Sequence, residues 1–160
     1  MNDAEILQRL SDLSIELPDP PKAVAAYVPV RIAGDVAYVA GQVPVLDGEV
    51  VHPGRLGDPD SGPTPEDAAL AARQAALQVL SALREALGGS FERLAGISQV
   101  TVYLATAPDF VEHPQVANGA SEFLVELFGP PGQQDHLLRG WRLHVHSGKQ
   151  NSESGLSRRY

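Results

Sequence analysis

Three imidazoles and a few scattered hydroxyls are the side chains that chemistry could use most directly. His144 and His146, one residue apart, would point to one face of a strand, a spacing compatible with metal binding, with His136 as a third nitrogen donor. No carboxylate accompanies them, and no metal centre is expected. Ser61, Ser90 and Ser121 lack the strand-turn-helix context of a nucleophile elbow, so a Ser-His-Asp hydrolase has little support. The chain contains no Cys, which removes disulfides, thiolate catalysis and thiolate metal ligands. No cofactor is called for.

With 160 residues, 43% of them hydrophobic, the chain has the size and apolar content of one compact domain. Its formal net charge of -8 repels phosphate backbones, and no Lys/Arg cluster interleaved with aromatics offsets this, so nucleic acid is not an expected partner. The basic pair Arg158-Arg159 reads as a solvated tail. No apolar run reaches the roughly 20 residues that span a bilayer, and MNDAEILQRL lacks a basic segment followed by an apolar stretch. A cytoplasmic protein with no membrane partner is expected.

The elements that must position any site follow from periodicity. Ile6, Leu7, Leu10 and Leu13 recur at helical spacing after Asp3, which is available as a cap. Pro18, Pro20 and Pro21 then favour extended backbone. The runs AYVPVRI and VAYVAGQVPV flank Ala33-Gly34-Asp35, the chemistry of a hairpin turn, and a second turn at Leu46-Asp47-Gly48 leads to a more exposed third strand in EVVHPGRLG. Thr64, Pro65 and Asp67 make a capping box for a helix running to about Leu87. Leu70, Leu77, Leu80, Leu83 and Leu87 form its buried stripe and Gly88-Gly89 its stop. Ile97 to Ala105 reads as a core strand, and a second long helix is expected over about Pro114 to Phe128. This order predicts an α+β layer with both long helices on one face and a short N-terminal helix.

The string YVPVRIAGDVAYVAGQVP from Tyr27 to Pro44 resembles the opening hairpin of the RidA/YjgF-like family, in which a Tyr precedes one strand and Ser-Gly-Gln or similar ends the next. The resemblance continues through AARQAALQVLSALREALGG, VTVYLATAPDF and HPQVANGASEFLVELFG, in the family's order and spacing. It implies a chorismate-mutase-like α+β fold with two helices packed on one face of a mixed sheet. It also implies a homotrimer with small-molecule pockets between subunits, and hydrolysis of reactive 2-imino or enamino acids to 2-oxo acids and ammonia. In that chemistry an Arg grips the substrate carboxylate while backbone groups orient the imine and a water. Some relatives carry a ribonuclease label, which the acidic charge opposes.

The resemblance covers roughly Leu17 to Gly132, which divides the chain into a RidA-like domain over 1–132 and an atypical, partly disordered segment over 133–160. Where the family places an Arg-led strand, then Leu-Pro and an acidic closing strand, this chain reads GQQDHLLRGWRLHVHSGKQNSESGLSRRY. Trp141 to His146 can supply a substitute strand. Codons allowed by LLRGWRLHVHSG, read one base later, can also spell a strand close to the family's, so the tail is readable as out of frame. The family match implies substrate-binding roles for Tyr27, Gly41, Gln42 and Asn118. On the residues alone, Tyr27 equally packs at a sheet edge, Gly41-Gln42 equally form a bulge, and Asn118 is equally an unremarkable polar residue in the first turns of a helix. The family's catalytic Arg has no match, and Arg139 is the nearest substitute; Arg31 reads as a solvated or interface side chain. Two functions follow: an imine/enamine deaminase, active if an Arg is supplied, or a non-catalytic trimer that binds a small metabolite in the same clefts.

Overall fold

A computed structural model describes residues 2–20, 27–129 and 144–146. Helix α1, Asp3–Asp12, places Ile6 and Leu10 in the core. Its cap lies one residue earlier than the sequence suggests: the Asn2 side chain accepts from the Ala4 amide at 3.0 Å. Asp3 is instead drawn into a long-range bond to the Phe91 amide, which no local pattern announces.

Strands β1 (Val30–Ala33) and β2 (Val36–Val39) form an antiparallel hairpin that pairs Val30 with Val39 and Arg31 with Tyr38. The Ala40 amide extends the ladder by one bond to the Pro29 carbonyl, 2.8 Å. Strands β3 (Val45–Leu46) and β4 (Glu49–Val50) flank Asp47 and Gly48, whose φ values of 54° and 85° are both positive. Asp-Gly tolerates this backbone, and a two-residue turn with two positive φ angles matches the twist of its strands. The expected third strand is therefore a two-residue arm of this second hairpin.

Helix α2, Pro65–Ala86, starts as expected, with Thr64 accepting from Asp67 and the Asp67 carboxylate accepting from the Thr64 amide. Leu77, Leu80 and Leu83 are buried and Leu87 packs at the core margin, but Leu70 is 56% exposed. Ala68 and Ala72 occupy the packed side of the first turns, and Leu70 lies about 200° round the helix from each. Helix α3, His113–Phe128, runs parallel to α2: Gln115 meets Glu66, Gly119 meets Ala69, and Arg73 meets Phe123 and Glu126. A Cβ on Gly119 would stand 2.0 Å from the Ala69 carbonyl oxygen, so the crossing depends on that glycine.

Of the expected strand over Ile97–Ala105, only β5 (Tyr103–Ala105) has ladder pairing, parallel to β6 (His144–His146). Ile97, Val100 and Val102 still pack against the core. β6 falls within the stretch read as a substitute strand, while the rest of 133–160 lies outside the described residues. The described residues thus form a mixed α+β fold of three helices and three two-stranded sheets. Its core joins Ile6, Leu10, Leu80, Phe91, Phe123 and Leu127. Each large side chain fully buried there contributes on the order of 1.5–3 kcal/mol.

Candidate functional site

The β1–β2 ladder brings Tyr27 and Gly41-Gln42 to the same open end of the hairpin, because the last bond joins Pro29 to Ala40. Tyr27 is 45% exposed there. Gly41 has open space where a side chain would be, so nothing within the protomer demands a glycine. The half-buried Gln42 turns its amide back to donate to the Ala40 carbonyl at 3.0 Å. Asn118 is exposed on α3, a different element, and its backbone carbonyl accepts from the Ser121 hydroxyl at 3.3 Å. Among the described residues, no hydrogen bond joins Tyr27, Gln42 and Asn118. Arg139, His136 and Trp141 lie outside the described residues, as do the side chains of His144 and His146.

Alternation in the hairpin separates two faces. Val30, Ala37 and Val39 pack inward and Arg31, Ala33, Val36 and Tyr38 are exposed, but Ile32, paired with Ala37 on the inward side, is 42% exposed as well. Val36 is 45% and Tyr38 62% exposed, and Val28 and Val43 are exposed near the hairpin's open end.

Three polar devices were not legible. Gln74 and Gln78, one turn apart on α2, both donate to the Val45 carbonyl, at 2.7 and 2.9 Å, and clamp the second hairpin to the helix. The Ser81 hydroxyl donates to the Pro18 carbonyl and ties down the proline segment. Asp3 accepts from the Phe91 amide at 2.7 Å and from Arg84 at 3.2 Å. Burial pushes the Asp3 carboxyl up, but the Phe91 amide and the Arg84 guanidinium outweigh it and hold it below its ordinary value. All three join residues at least 29 positions apart, beyond the reach of a local pattern.

His52 lies 3.6 Å from Asp67, half-exposed. His113 meets the Phe110 ring edge-on at 5.0 Å, and its Nε2 is sealed from solvent without a hydrogen-bond partner among the described residues. Among the described residues, no group of three His, Cys, Asp or Glu is arranged to hold a metal ion. None of their helices is long and apolar enough to cross a membrane.

Parallel helices backing short strands whose other face stays open define a class of small mixed α+β proteins. Residues 7–146 match the family described as "YjgF/chorismate_mutase-like, putative endoribonuclease", and the chain belongs to that family. The match passes Gly132 and ends with β6. Protein TCP17 of Trypanosoma cruzi is 33% identical over 124 residues, which span 78% of this chain and 75% of that protein. Among solved structures, one from Shewanella oneidensis titled a "putative endoribonuclease" is 28% identical, with a TM-score of 0.73 over 88% of this chain and 85% of its own. Atu1372 from Agrobacterium tumefaciens, titled as of unknown function, is also 28% identical, with a TM-score of 0.74 over 89% of this chain and 82% of its own.

Proposed function

We propose that this chain hydrolyses reactive 2-imino and enamino acids in clefts between three copies of itself, within the cytoplasm. The supporting observation is the open hairpin face. Val28 and Val43 stand exposed at the end that carries Tyr27 and Gln42, and Tyr38 is exposed further along the same hairpin, so a further copy covering it would turn that end into a walled pocket. The reaction asks little of the protein. Water adds to the electrophilic imine carbon, the carbon–nitrogen bond breaks, ammonia leaves, and a carbonyl replaces the imine. Positioning the substrate and stabilising the charged addition intermediate are sufficient, without a dedicated acid/base pair. No metal or cofactor enters this proposal. The ribonuclease label of one structural neighbour fits this chain poorly, since its net charge of -8 opposes an RNA backbone.

The test supplies imines from an amino-acid oxidase to the purified full chain and follows 2-oxo acid release. Acceleration over buffer supports the reading. Thermal stabilisation by 2-oxo acids with no acceleration would replace it with the non-catalytic metabolite-binding trimer.

A further inference from the structure

Asn118 is followed by Gly119, the only Asn-Gly pair in the chain. An asparagine is thermolabile because its side-chain amide is open to attack by the main-chain nitrogen of the next residue. A glycine there leaves that nitrogen unhindered, since it has no Cβ. Asn118 is exposed on α3. Gly119 is not free to change, because a Cβ would meet the Ala69 carbonyl oxygen at 2.0 Å. The close crossing of α2 and α3 thus keeps the unhindered nitrogen next to Asn118.

While α3 is intact the reaction is blocked. The Gly119 amide is committed to the Gln115 carbonyl one turn back, and helical backbone turns its nitrogen away from the Asn118 side chain. The block is only as firm as this end of the helix, and three features weaken it. Glu112 at the N-cap makes no side-chain bond to the free amides. A glycine inside a helix raises the entropic cost of ordering it. The Ser121 hydroxyl donates back to the Ala117 and Asn118 carbonyls, at 3.4 and 3.3 Å, a pattern that loosens helices.

We infer that local opening of α3 makes Asn118 a self-modification site. The Gly119 nitrogen attacks the Asn118 side-chain carbonyl carbon and gives up its proton. The amide nitrogen takes that proton and leaves as ammonia, closing an imide ring. Water then opens the ring and returns a proton to the Gly119 nitrogen. Cleavage at the side-chain carbonyl gives aspartate, and cleavage at the main-chain carbonyl gives isoaspartate, whose main chain is longer by a methylene. That methylene displaces Gly119 from its place against Ala69 and breaks the helical register, so α3 cannot repack on α2. A reversible opening becomes a one-way loss.

The full chain is aged at neutral pH in native buffer and in unfolding guanidinium, and peptide mapping separates asparagine, aspartate and isoaspartate at position 118. Asn118 should react in both, roughly 10-fold or more slowly in native buffer. Val116→Ala empties a fully buried position one turn before Gly119 and should speed the native reaction about 10-fold. Ser121→Ala should slow it about twofold and leave the rate in guanidinium unchanged. Aged wild type should develop a lower-melting fraction that aged Asn118→Gln lacks. Equal rates in the two solvents, no isoaspartate at 118 in either, or a native rate indifferent to both helix variants overturns the inference. So does an aged sample rich in isoaspartate that melts like the fresh one. Should Val116→Ala fail to fold, Ser121→Ala decides alone.

Discussion

Asp3 is only 18% exposed where it meets Arg84 and the Phe91 amide, so its charge is held by the fold rather than by solvent. Its carboxyl is depressed in the folded chain, so near the ordinary carboxylate range the unfolded chain binds more protons and stability rises with pH. The contribution is complete above the unfolded value of about 3.9 and is lost as pH falls through the lower folded value. Asp3→Asn should cost roughly 1–3 kcal/mol in urea unfolding at neutral pH. The deficit against wild type should vanish at a pH below the folded value, and a deficit that persists there would point to shape rather than charge. His113 carries the opposite burden, a sealed Nε2 with no partner among the described residues. His113→Phe keeps the edge-on ring contact with Phe110 and removes the orphaned atom. It should raise the unfolding free energy by about 1 kcal/mol, a gain that a water held at Nε2 would cancel.

At the scale of elements, the crossing of α2 and α3 is set by one missing side chain. Gly119→Ala would place a methyl 2.0 Å from the Ala69 carbonyl oxygen, against backbone that cannot rotate away. A loss of roughly 1–3 kcal/mol is expected by thermal or urea unfolding, since the helices must separate. The β3–β4 hairpin depends on two amides sharing one acceptor. Gln74→Ala or Gln78→Ala alone should cost little, and the double variant should cost more than the sum, about 1–3 kcal/mol, because only then is the Val45 carbonyl abandoned. The contrast in what the sequence revealed follows from distance along the chain. Thr64, Pro65 and Asp67 specify the start of α2 within four residues, and the Asp47-Gly48 turn is equally local. The strand expected over Ile97–Ala105 shrank to Tyr103–Ala105 because pairing needs a partner some forty residues on. The cap of α1 moved to Asn2 because Phe91 claims Asp3.

For the whole molecule, the hairpin's outward face gathers what the single protomer leaves unfinished. Val36 and Tyr38 are uncovered, Arg31 is unpaired among the described residues, and Tyr27 and Gln42 end the same hairpin. The two β-branched runs and the turn between them made the hairpin readable beforehand, and family resemblance pointed to Tyr27 and Gln42. The sequence pattern alone could not show how α3, which carries Asn118, packs relative to the hairpin, since that is decided by tertiary packing. The proposed function and its pocket both depend on further copies covering that face. The solution mass of the purified full chain at assay concentration tests this most directly. Three times the 17.0 kDa of one chain is the result expected, and a stable 17.0 kDa monomer would contradict it.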